Sequence, residues 1–205
     1  MTCARNERYW KRAASFGAYD GVLRGLVHLL KYDGVRPAAR KLGEILAAGA
    51  AAIAGQVSAA EILLVPVPLH RHRQGERGFN QAEMIAAHAR PRLPPLLGRD
   101  VRVETGALIR RRPTDSQVGL TLQQRQEQMR GCFEVAAPAR VKGRGVLLVD
   151  DVLTTGATAS ECARVLLRAG AAGVWVLTAA RTMRIDVRLE PSEDGSVSVV
   201  GAVKV

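Results

Sequence analysis

Two adjacent carboxylates, Asp150 and Asp151, stand directly behind an apolar run and directly before a Thr/Thr/Gly turn. The run, residues 146–149, is short, continuous and partly β-branched, the pattern of a buried parallel strand. Behind the turn, Ala159, Cys162, Ala163, Leu166 and Leu167 recur at helical spacing, and Gly170 takes the place of a C-terminal cap. In open parallel sheets, ligands bind beyond the carboxyl ends of the strands. A helix N-terminus offers unpaired N–H groups and the positive end of a dipole, which suits phosphate. The hydroxyls of Thr154, Thr155 and Thr158 add donors. Gly156 and Ala157 leave room for close approach, and Gly156 tolerates positive φ. Asp150 and Asp151 suit sugar hydroxyls or a Mg²⁺ that neutralises a polyphosphate. A phosphate seat beside a diol- or metal-binding acid pair describes a ribose 5-phosphate site. The sequence holds no G-x-x-x-x-G-K-[ST] and no G-x-G-x-x-G, so a P-loop and a dinucleotide fingerprint are excluded.

The elements that position this site alternate between strand-like and helix-like patterns, which predicts a parallel sheet with helices on both faces. Helical spacing starts at Tyr19 and runs through Val22, Leu23, Leu26, Val27 and Leu30. Lys31 ends it, either as a partner of the helix dipole or as a phosphate contact. Pro37 opens a second helix. Residues 61–68 form a strand that Pro68 terminates. Residues 70–78 read as a polar loop with two glycines, carrying Arg71, Arg73 and Arg77 with His70 and His72. Bidentate arginines there suit a pyrophosphate, and a solvated basic loop is the plain alternative. Asn80 with Glu83, and Thr121 with Gln124, have capping-box spacing. Residues 101–109 read as one strand, 132–135 as a short one, and 173–180 as the last parallel one. Residues 185–189 and 197–200 suggest an appended hairpin or a frayed tail.

The 205 residues carry a net charge of +11, which supports contact with polyanions such as nucleic acid, polyphosphate or anionic lipid. Aromatic content is only 4%, so stacking platforms are few. The pair Tyr9–Trp10 fits packing on the domain better than base stacking. No apolar run approaches the ~20 residues of a membrane span, and no signal peptide is visible. A cytoplasmic place is expected, with a peripheral one at the inner membrane also open. Cys3, Cys132 and Cys162 are too far apart for a disulfide framework or a zinc site.

The string from Val146 to Thr158 resembles the PRPP (phosphoribosyl pyrophosphate) motif of type I phosphoribosyltransferases. A second stretch, Val65-Pro66-Val67-Pro68-Leu69-His70 followed by Arg77-Gly78-Phe79-Asn80-Gln81-Ala82-Glu83, is similar to the ComF family. Members of that family are phosphoribosyltransferase-like proteins associated with DNA uptake in competent bacteria. Leu30-Lys31-Tyr32 and residues 117–125 share the likeness. The resemblance implies an α/β, type I phosphoribosyltransferase-like fold under a small N-terminal hood. It spans residues 17–182, after a basic segment 1–16 and before an extension 183–205. It implies a PRPP or ribose phosphate ligand with Mg²⁺ at Asp150 and Asp151, the candidate catalytic residues. It makes residues 110–117 a mobile loop with Arg110 and Gln117 as contacts. ComF-like proteins often begin with a four-cysteine zinc module; here only Cys3 stands near the start, so no zinc cluster is expected. Two activities follow from the resemblance. One is a PRPP-binding factor that holds single-stranded DNA and meets competence-machinery proteins. The other is an active transferase passing the phosphoribosyl group to a nitrogenous base.

Overall fold

The computed structural model describes residues 8–113, 121–191 and 197–204. Its elements in chain order are β1 (Arg12–Ala18), α1 (Gly21–Lys31), α2 (Pro37–Ala50), β2 (Ile62–Pro66), α3 (Arg71–Arg77), α4 (Gln81–Ala89), α5 (Leu93–Leu97), β3 (Val101–Val103), β4 (Leu108–Arg110), α6 (Leu122–Met129), β5 (Phe133–Val135), α7 (Pro138–Val141), β6 (Gly145–Leu153), α8 (Ala157–Arg168), β7 (Gly173–Arg181), β8 (Arg184–Pro191) and β9 (Val197–Lys204). Five strands form one sheet in the order β1-β7-β6-β2-β3. Every pairing within it is parallel. The chain is an α/β protein whose sheet is flanked by helices, compatible with a type I phosphoribosyltransferase-like fold.

The pleat decides which side chain feeds which layer. On β6, Leu147 and Val149 enter a core built with Leu30 of α1, Leu42 and Leu46 of α2, and Ile85 of α4. Val146 and Leu148 enter the opposite core with Cys162 and Leu166 of α8, Met129 of α6 and Phe133 of β5. Val174 and Trp175 of β7 divide in the same way. Strands buried on both faces must be apolar throughout, which is why 146–149 reads as an unbroken run. β3 follows β2 on one side of the sheet, and β7 follows β6 on the other. The order therefore reverses between β2 and β6, and the carboxyl ends of these two strands face the crevice where open α/β sheets bind ligands.

Three segments differ from the sequence reading. Residues 71–77 form helix α3 rather than a loop. His70 caps its start through the His72 N–H at 3.4 Å, and Gly78, at φ 75°, closes its end. His72 also reaches Glu76 one turn on, at 3.4 Å. These local contacts offset the helix cost of Gly75, about 1 kcal/mol relative to alanine. The single strand expected over 101–109 is two strands. β3 pairs with β2, and β4 pairs antiparallel with β5 in a separate ribbon. Glu104-Thr105-Gly106 turns the chain between them. The expected boundary between residues 16 and 17 falls inside β1, which lies parallel along the edge of β7. At the other end, β8 and β9 pair antiparallel as a hairpin.

Candidate functional site

The site is built where β6 passes into α8. Asp20, Asn80 and Thr121 supply side-chain caps to their helices, and Thr121 with Gln124 completes a capping box. The start of α8 is different. Gly156 takes the cap position at φ 79°, ψ 4°, with no side-chain cap hydrogen bond. Thr155 Oγ1 accepts a long hydrogen bond from the Ala157 N–H, 3.4 Å. The helix therefore offers its first N–H groups and dipole to an acceptor outside the helix. Thr154 is exposed, and Thr155 and Thr158 are half-buried. Ala157 is buried beside Gly156 and contributes its backbone.

Residue 156 has two reasons to be glycine. Its φ lies in the left-handed region, and a Cβ there would come within 2.7 Å of the Trp10 ring. Trp10, which packs on the α8 side of the sheet, thus lies against the turn. Gly156→Ala is expected to lower stability by about 1–3 kcal/mol, from left-handed strain plus displacement of Trp10. A urea titration checks this. A loss below about 0.5 kcal/mol would contradict the contact.

The acid pair is split by the pleat. Asp150 follows Leu148 to the α8 face, and Asp151 follows Val149 to the face of α1 and α2. Asp151 is buried, and its Oδ2 lies 2.6 Å from Lys31 Nζ. Its Oδ1 accepts the Val152 N–H at 2.7 Å. Burial pulls the Lys31 ammonium down, but Asp151 and Asp150 more than offset it, and its pKa is raised. Asp150 is half-buried and accepts the Asp151 N–H at 2.9 Å. Burial first, then the Asp151 charge, push its carboxyl up to about 7, with Lys31 opposing. Asp150 is thus a carboxyl with a raised pKa at the carboxyl edge of the sheet, where a divalent cation or a sugar diol would suit it. Among the described residues no cluster of three His, Cys, Asp or Glu side chains could hold a metal. A Mg²⁺ held here by Asp150 would complete its shell with phosphate and water oxygens.

The remaining expected residues divide between two places. Arg110, at the end of β4, lies 5.4 Å from the Phe133 ring centroid. Burial lowers its pKa, and it feels the charges of Arg73 and Asp150. Burial first, then the charges of Arg110, Arg71 and His72, hold His70 below its ordinary pKa. Arg71 and Arg73 are exposed on α3, and Arg77, half-buried at its end, donates to Gln81 Oε1 at 2.7 Å. Arg73 and Arg77 line a hollow together with Lys31. Gln117 lies outside the described residues. Two partnerships carry no local sequence signal: Lys31 with Asp151, and Trp10 with Gly156. The pleat rule alone, applied to two adjacent acids on one strand, does place them on opposite faces.

A five-stranded parallel sheet flanked by helices, with an uncapped helix start and an acid beside its switch point, places the chain in the α/β class compatible with a type I phosphoribosyltransferase-like fold. No protein-family model matches the chain. It is 33% identical over 189 residues to the DNA utilization protein YhgH of Salmonella typhi, covering 88% of this chain and 77% of that protein. The protein of the same name from Escherichia coli strain K12 is 31% identical over 183 residues, with the same coverage. Competence protein F of Haemophilus influenzae is 29% identical over 182 residues, covering 87% of this chain and 76% of that protein. The chain belongs to the ComF family with these proteins. Among the described residues no helix is long and apolar enough to cross a membrane.

Proposed function

We propose that this protein binds PRPP or a related ribose 5-phosphate, together with Mg²⁺, at the β6–α8 junction, and that it serves DNA utilization or uptake by holding single-stranded DNA. The observation that supports this most is the uncapped start of α8 next to Asp150. A 5-phosphate on the N–H groups of 156–158 puts the ribose hydroxyls toward the end of β6. Asp150 receives those hydroxyls or the cation, and Lys31 holds Asp151 in place. The role in DNA metabolism rests on the names of the relatives, DNA utilization protein and competence protein. The net charge of +11 fits sequence-blind contact with a phosphate backbone.

The test is a thermal-shift titration with PRPP, with and without Mg²⁺. The expected result is a Mg²⁺-dependent rise in Tm for the wild type and none for Asp150→Asn. The single substitution is preferred to replacing both acids, because Asn at 151 would also strand Lys31. An equal shift in both proteins would overturn the assignment.

A second reading is favoured by Arg110, whose charge reaches Asp150 from β4. In an active transferase a nitrogen nucleophile bonds to C1 of the ribose as the C1–O bond to pyrophosphate breaks. Positive charge builds on the sugar and negative charge on the leaving group, which a nearby guanidinium stabilises. Pyrophosphate release from PRPP with a panel of purines and pyrimidines separates this from simple binding.

A further inference from the structure

We propose that the hollow between the end of α1 and helix α3 seats one nucleotide unit of a single strand, next to the ribose-phosphate site but distinct from it. The proposal deepens the DNA-holding part of the function above and is independent of the PRPP part. The hollow has a volume of about 460 Å³ and is lined by Lys31, Tyr32, Gly34, Arg73, Glu76, Arg77 and Phe79. That volume lies in the range of roughly 300–1,000 Å³ typical of ligand-sized sites. Its lining combines the two kinds of group that bind an unpaired nucleotide. Arg73 and Arg77 outnumber Glu76, while the Lys31 ammonium is engaged by Asp151, and this surplus of positive charge suits a phosphodiester. Two aromatic rings stand among guanidinium groups, which suits a base, since unpaired bases stack on both aromatic and guanidinium planes.

Tyr32 makes the case specific. It is 69% exposed, more than any other Phe, Tyr or Trp among the described residues. The Arg77 guanidinium lies 5.9 Å from its ring centroid, and His28 flanks it at 4.9 Å. On the other aromatic wall, Arg36 lies 5.7 Å from the Phe79 ring. The scarcity of aromatics in the chain therefore matters less than their placement: two of the eight rings line this hollow. Lys31 belongs to both places, with its ammonium on Asp151 and its side chain in the wall. A strand seated here lies beside the ribose-phosphate site and takes Arg73 and Arg77 as its phosphate contacts, in place of the pyrophosphate role the sequence suggested.

The experiment is fluorescence anisotropy of a labelled oligodeoxythymidylate over a salt series, with the wild type, Tyr32→Ala and Arg73→Ala. Both side chains are exposed, so the variants should keep the wild-type Tm. Tyr32→Ala is expected to weaken oligonucleotide binding roughly five- to a hundredfold, the range for losing one stacked base. Arg73→Ala should reduce the slope of log affinity against log salt by about 1. An abasic oligomer of the same length should bind both wild type and Tyr32→Ala equally, because it has no base to stack. Thymidine monophosphate should bind more weakly than the oligomer, marking the strand as the ligand. Wild-type binding with no change in Tyr32→Ala would overturn the pocket while leaving DNA holding intact. Full displacement of the oligomer by PRPP would also overturn it, since the two would then share one seat. Failure of the wild type to bind any oligomer would instead remove the DNA-holding function itself.

Discussion

Replacing Lys31 by methionine is expected to lower stability by about 2–4 kcal/mol at pH 8. Methionine keeps most of the unbranched side chain and removes the ammonium, with both its charge and its hydrogen bond to Asp151. Asp151 is then left buried without its countercharge. Removing one partner of a fully buried pair typically costs roughly 3–5 kcal/mol, and the 21% exposure of the Lys31 side chain trims that figure. The pH is chosen by the direction of the shift. The Lys31 pKa is raised above 10.5 on folding, so its stabilisation is complete below 10.5 and is lost only as pH climbs through the higher folded value. At pH 8 the pair is therefore measured in full. Adding Asp151→Asn to Lys31→Met should recover part of the loss, because no buried charge remains to be compensated. Urea denaturation of the four proteins of that cycle measures the coupling directly. A Lys31→Met variant within about 0.5 kcal/mol of wild type at pH 8 would show that the pair does not hold α1 to the sheet edge.

What the sequence made legible, and what it hid, follows from the range of the interactions concerned. The strand at 146–149 and helix α8 were readable because burial on two faces and burial on one stripe each leave a periodic trace. The caps at Asn80 and Thr121 were readable because a cap is made within three residues. Helix α3 was missed because two glycines and a run of basic residues outweighed, on paper, the His72–Glu76 contact and the Gly78 cap. Strand β1 was missed for a different reason. Its sequence, RAASFGA, has little strand propensity. It is a strand because the edge of β7 presents unpaired N–H and C=O groups, to which Lys11 N–H and the residues after it bond. That pairing joins residues more than 160 apart and leaves no local mark. The site divides along the same line. Its turn between β6 and α8 was visible as one contiguous string. Lys31 was read locally as a helix-end cation or a phosphate contact; its place against Asp151 is set by the packing of α1 over the sheet and leaves no local mark.

Asp150→Asn is expected to stabilise the unliganded protein at pH 8 by about 1–3 kcal/mol, and to leave it nearly unchanged at pH 4. The sign follows from the upward shift. A carboxyl held at about 7 in the fold, against 3.8 ordinarily, keeps its proton in the native state while the unfolded chain has already lost it. Between those values the native state binds more protons, so stability falls as pH rises. Each tenfold change in proton affinity is worth about 1.4 kcal/mol, and the partial exposure of Asp150 discounts the total. Asparagine keeps the shape and can still accept the Asp151 N–H, but it never ionises, so the variant escapes this pH-dependent loss. Chemical denaturation at pH 4, 6 and 8 should show the two proteins diverging across that interval. A constant difference at all three values would mean that Asp150 titrates normally in the fold. The same carboxyl is the one proposed to meet the cation or the ribose, and a ligand that supplies positive charge should reverse the order. With PRPP and Mg²⁺ at pH 8, the wild type should gain stability that Asp150→Asn cannot. A carboxylate retained at a cost to the unliganded fold, and compensated only by a bound cation, is what distinguishes a binding group from a structural one.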